Sequence, residues 1–157
     1  YYMASLLEKN GEIEKARDVI RKVIAANPNN AHALNFLGYS MVEVGDDLEQ
    51  GFKFIKKAVE LRPNDGYIRD SLGWYYYKVG KLQEALRELK LAVQYEGKDL
   101  TITNHLAIVY QELKSYSLAK KVYEEALKLC KEEKDIQEIG QALDKLQDIL
   151  RLPASKE

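Results

Sequence analysis

The residues able to do chemistry are few and scattered. The chain has one cysteine, Cys130, and two histidines, His32 and His105. A thiol becomes a nucleophile only where a base or a positive charge favours the thiolate. Cys130 sits beside Leu127 and Leu129, with no histidine near it in sequence, which is the setting of a packed or half-exposed small side chain. A zinc site needs three or four ligands, and no third or fourth accompanies the two histidines. A glycine-rich phosphate loop, a GxSxG elbow, an HExxH motif and paired metal-ligand spacings are all absent from the sequence. Carboxylates are plentiful, but in AVELRPND and LKLCKEEKD they are mixed with basic residues, the pattern of a solvated helix face. These residues specify no catalytic, metal or cofactor site, and the chain reads as a non-enzyme.

Composition narrows the remaining classes. A length of 157 residues suits one domain, and 46% hydrophobic with 31% charged residues describes a folding chain. Lys plus Arg number 24 and Asp plus Glu 25, so a net charge of −1 exerts no global pull toward nucleic acid or an anionic membrane. One cysteine excludes an internal disulfide framework. No stretch approaches the roughly 18 apolar residues that would mark a membrane span. No secretory signal is visible, and a chain beginning at Tyr1 is expected to be a fragment or processed product. The compartment stays open between cytoplasm and bacterial periplasm or envelope. One oddity is left over: 11 tyrosines against 3 phenylalanines and 1 tryptophan.

The elements that carry these residues repeat. LNFLGYSMVEVG (34–45) resembles RDSLGWYYYKVG (69–80), which places Gly38 and Gly73 35 residues apart. The same spacing reaches Ala107 going forward and Ala4 going backward. A second set recurs in step: Ala16, Gly51, Ala85 and Ala119, then Ile20, Ile55, Leu89 and Tyr123, then Val23, Ala58, Ala92 and Ala126. Steps of four and three are one face of a helix. Pro28 and Pro63 close two units, and Asn and Asp in NPNN and RPND are good caps for the helix that follows. Each unit is therefore two helices: first helices near 1–9, 30–44, 65–79 and 99–113, second helices near 12–26, 47–61, 82–95 and 116–131. Small residues at the glycine and alanine slots let the two backbones approach. Beyond the repeats, Ile136, Ile139, Leu143, Leu146 and Leu150 share one face of a helix over 134–151, which is expected to cap the bare end of the array. Residues 152–157 form a polar tail.

This pattern resembles the tetratricopeptide repeat, a helix–turn–helix unit of about 34 residues. Its leucine, small residue and tyrosine of the first helix match Leu37, Gly38 and Met41, then Leu72, Gly73 and Tyr76, then Leu106, Ala107 and Tyr110. The resemblance covers 1–131 and implies an all-α fold, a right-handed α-solenoid. It would hold a truncated unit at 1–29, units at 30–64, 65–98 and 99–131, and the cap at 132–151. Departures are Leu34, Arg69 and Thr103 in the family's tryptophan slot, Gly97 and Lys131 in the closing proline slot, and one extra residue at Asp46-Asp47. The ALNFLGYS and DSLGW motifs also look like repeats of bacterial multi-repeat proteins, several of them envelope lipoproteins and assembly factors.

Membership would put the function on the concave face, where first helices meet a peptide or partner helix. The family's groove-facing slots fall here on Asn35 and Tyr39, on Tyr67, Asp70, Trp74 and Tyr77, and on Asn104 and His105, with Tyr1 and Tyr2 in the truncated unit. Tyr and Trp join a large apolar face to a polar handle and are enriched at binding hot spots. Asn35, Asn104 and Asp70 would bond the backbone of the bound segment. Tyr76 and Tyr110 occupy packing slots, while Tyr75 packs between units or faces outward. A basic cradle for a terminal carboxylate is not formed, because its slots hold Asn35, Tyr39, Asp70, Trp74, Asn104 and Ile108. The implied role is a protein-interaction scaffold for a protein or peptide partner. Self-assembly, or the adaptor region of a larger enzyme or lipoprotein, are the alternatives.

Overall fold

The computed structural model describes residues 10–152. Among them are eight helices: α1 (Ile13–Ala26), α2 (Ala31–Val44), α3 (Leu48–Leu61), α4 (Gly66–Lys78), α5 (Leu82–Tyr95), α6 (Leu100–Glu112), α7 (Tyr116–Leu129) and α8 (Glu133–Arg151). They stand within a residue or two of the helices expected over this range. The expected helix at 1–9, with Tyr1 and Tyr2, lies outside the described residues, as does the tail beyond Leu152.

Among the described residues each first helix starts at a side-chain cap. Asn30 accepts from the Ala33 amide at 3.1 Å, Asp65 from Tyr67 and Ile68, and Asp99 from Ile102 at 3.0 Å. These bonds satisfy amides that have no partner inside the helix. The boundary before α6 has lost its proline, yet Asp99 starts the helix just as Asp65 does. Gly11, Gly45 and Gly80 take positive φ between 77° and 79° in the turns after first helices, and in the fourth turn Lys114 takes φ 60° instead. The extra residue of the second unit is Asp46. It leaves the turn to pair with Arg17 at 2.6 Å, and Arg17 also donates to Ser40 and to Glu14. An arginine 2% exposed between α1 and α2 is tolerable only with such partners.

Second helices bury one stripe: Ala16 and Ile20, Ile55 and Ala58, Leu89 and Ala92, Tyr123 and Ala126. First helices are covered on more sides. Helix α2 touches α1, α3 and α4, and α4 touches α2, α3, α5 and α6. Among the described residues no second helix makes a close backbone approach to another. The first helices therefore form the tighter layer, and the stack curves around them as a helical solenoid. Where α2 crosses α3 the backbones nearly meet. A Cβ on Gly38 would lie 2.7 Å from the Gly51 carbonyl oxygen, which no side chain could accept unmoved.

Helix α8 follows α7 as a first helix would. Its buried stripe is shorter than expected: Ile139, Leu143 and Leu146 are covered, whereas Ile136 and Leu150 are about two-fifths exposed, at 40% and 42%. The ends of α8 run past the surface that α6 and α7 offer.

Candidate partner-binding groove

The concave face runs across α2, α4 and α6, and its sequence-predicted residues separate into three places. The first is a recess of about 390 Å³ where α2, α4 and the start of α6 meet. Asn35, Phe36 and Tyr39 line it from α2, Tyr67, Asp70 and Ser71 from α4, and Asp99, Thr101 and Ile102 from the start of α6. Tyr67 is 49% exposed; Asn35 and Tyr39 are partly covered. The Oδ1 of Asn35 is screened from solvent, and no protein donor reaches it. An orphaned buried acceptor costs roughly 1–3 kcal/mol. A second hollow of about 490 Å³ continues past His32 and Tyr67 toward Asp65 and Glu96.

Carboxylates set the electrostatics of this recess. Burial pushes the Asp70 carboxyl above its ordinary value, the hydrogen bond from His105 opposes that, and Asp99 and Glu43 push in the same direction as burial. The Tyr67 hydroxyl is also raised, first by desolvation and then by Glu96, Asp99 and Asp65.

The second place is filled. The Trp74 ring stacks on His105 at 3.8 Å between centroids and on Tyr77 at 4.5 Å, and its Nε1 donates to Glu43 at 2.6 Å. His105 Nδ1 stands 2.8 Å from Asp70 Oδ1. An ionised Asp70 can only accept, so Nδ1 carries the proton in that bond. Lys78 Nζ lies 5.4 Å from the Trp74 ring centroid. Trp74, His105 and Asp70 are each only 6–7% exposed. The sequence suggested that all three offer themselves to a partner. They are instead engaged with one another: Asp70 and Trp74 stand about one turn apart on α4, and His105 of the next first helix reaches both. Asp70 still borders the recess, but its Oδ1 is taken. Tyr77 is half-buried in the same pile. Tyr75 stacks on Phe52 at 4.5 Å, so of its two alternatives it takes packing between units.

The third place is a recess of about 280 Å³ between α6 and α8, lined by Thr101, Asn104, Ile108, Tyr123, Asp135, Glu138 and Ile139 among others. Tyr123 donates to Gln111 at 2.9 Å, and its burial pushes the phenol up to about 12. Sequence reasoning did not single out Asp99, Asp135 and Glu138. The signal was present: counting one 34-residue repeat on from Thr101 and Asn104 reaches Asp135 and Glu138. Asp99 lies just before its helix, outside the groove-facing slots.

No group of three or more His, Cys, Asp or Glu that could hold a metal is found among the described residues. No helix of theirs is long and apolar enough to cross a membrane. Cys130 lies just beyond α7, not within it, with Sγ 3.5 Å from the Ala126 carbonyl. Burial, then Asp135, pushes its thiol up, away from nucleophilic use.

Two family models, both described as tetratricopeptide repeat, match residues 1–66 and 100–133. Among curated proteins none matches the sequence. Solved structures share the fold. A thermophilic TPR protein of Thermus thermophilus is 21% identical, with a TM-score of 0.80 over 96% of this chain and 80% of its own. Pseudomonas aeruginosa pilF is 18% identical, with a TM-score of 0.81 over 96% and 67%. MamA is 20% identical, with a TM-score of 0.72 over 94% and 84%. Proteins built of such repeats are protein-interaction scaffolds and generally lack catalysis. The two family matches, and a stack of helix pairs repeating every 34 or 35 residues, place the chain in the tetratricopeptide-repeat family.

Proposed function

We propose that this scaffold holds an extended segment of a partner protein on its concave face, in the recess between Tyr39 and Tyr67. The observation that carries the reading is Asn35. Its buried Oδ1 lacks a donor, and it lines an open recess at the meeting of three first helices. A backbone N–H of a docked segment would satisfy that oxygen, while the faces of Phe36, Tyr39 and Tyr67 cover its side chains. Trp74, Tyr77, Asp70 and His105 hold the three first helices at the spacing the recess needs. Asn104 extends the surface toward α8.

The test is a displayed peptide library selected on the full chain, with the recovered peptides measured by fluorescence anisotropy. Binding should fall about tenfold or more in Tyr39→Ala/Tyr67→Ala, as expected for loss of two aromatic contacts, with the helical circular dichroism unchanged. Equal affinity in that folded variant would remove the recess from the account.

A further inference from the structure

We propose that the segment bound in this groove is positively charged: it brings lysine or arginine side chains to two acidic recesses that adjoin at Thr101. This deepens the groove reading above and rests on it. The first recess offers Asp99, with Asp70 behind it in its bond to His105, the second offers Asp135 and Glu138, and Thr101 lines both. No lysine or arginine lines either one. Over the whole chain the charges nearly cancel, 24 basic against 25 acidic, so this one-sided lining is a local property of these two recesses. Arg62 lines the neighbouring hollow, where Asp65 and Glu96 also stand. Lys53 and Lys120 lie on second helices, each beside a glutamate, and Lys78 sits over the Trp74 ring.

The field of these carboxylates is felt inside the groove. Glu96, Asp99 and Asp65 all act on the Tyr67 hydroxyl, and Asp99 and Glu43 on Asp70. An acidic segment would meet like charge at Asp99, Asp135 and Glu138, whereas a basic one gains at each recess. The charge arrangement is thus the reverse of a cradle for a terminal carboxylate.

Two labelled peptides of equal length decide the matter. Both carry the same leucine and tyrosine positions, alternating in one with Lys and Arg and in the other with Glu and Asp. Anisotropy is read against the full chain, against Tyr39→Ala/Tyr67→Ala, and against Asp99→Asn/Asp135→Asn/Glu138→Gln. Asn at 99 keeps the cap of α6, and circular dichroism checks that each variant is folded. The basic peptide should bind and the acidic one should not. The triple variant should weaken the basic peptide roughly tenfold, the sum of three modest exposed contacts. The gap should shrink as salt rises from about 0.05 to about 0.5 M. If both peptides bind alike and both depend on Tyr39 and Tyr67, charge selection is overturned and the groove stands. If the basic peptide binds the Tyr39/Tyr67 variant as well as the wild type, the groove reading fails and this inference fails with it. Preference for the acidic peptide, or no binding of the basic one, also overturns the inference.

Discussion

Two stretches of the same concave face behave oppositely. Around Tyr39 and Tyr67 the aromatic rings border an open recess, and one of them is about half exposed. About two to three turns further along α4, Trp74 and Tyr77 lie in a closed pile that His105 and Asp70 complete from α6 and α4. Both stretches use equivalent slots of the repeat. The slot sets the direction of a side chain, but the neighbouring first helix decides whether anything already fills the space. A ring that meets His105 of the next first helix becomes wall. A ring facing Asp99 and Thr101 at the start of α6 stays open.

Removing the wall should do the most damage. Trp74→Ala deletes both stacks and strands Glu43, and should lower stability by about 3 kcal/mol in urea unfolding. A loss near zero would show that the pile is not what joins the first helices.

High pH probes the buried phenol beside the second recess. Tyr123 is raised in the fold from 10 to about 12. Its stabilising contribution is therefore complete below pH 10 and is lost as pH rises through about 12. The loss should be on the order of 2 kcal/mol. Absorbance titration should show this phenol ionising late, together with unfolding, and Tyr123→Phe should remove that step.

Asp70→Ala leaves the buried imidazole of His105 without its partner and should destabilise by about 2 kcal/mol. Asp70→Asn, which can still accept from Nδ1–H, should recover most of it. If both variants match the wild type in urea, the Asp70–His105 bond is incidental.

The smallest effect is expected in the open stretch. Tyr67→Ala should change stability by under about 0.5 kcal/mol, as for an exposed side chain. A larger loss would move Tyr67 from the binding surface into the wall.

Much of the fold was legible because the information is periodic. The caps Asn30 and Asp65, the glycine turns and the small residues Gly38 and Gly51 each follow from a local rule repeated at a fixed interval. The site was legible only in part. Slot assignment brought Asn35, Tyr39 and Tyr67 to the recess. It could not tell that Trp74, Asp70 and His105 saturate one another, because that depends on contacts between three helices. Asp135 and Glu138 were missed for a related reason. Helix α8 departs from the repeat's small-residue pattern, so its first turn was read as a cap and its groove-facing positions were not counted. The Asp46–Arg17 pair shows the same limit: an insertion that looked like a flaw in the register turns out to hold α1 against α2.

The division of the concave face is tested most directly by measuring urea stability and basic-peptide binding on one preparation of Tyr39→Ala/Tyr67→Ala. A stability loss of about 2 kcal/mol or less is expected, most of it from Tyr39, which packs against the cluster of Leu72 and Trp74, with binding lost. Unchanged binding in a chain of unchanged stability would contradict it.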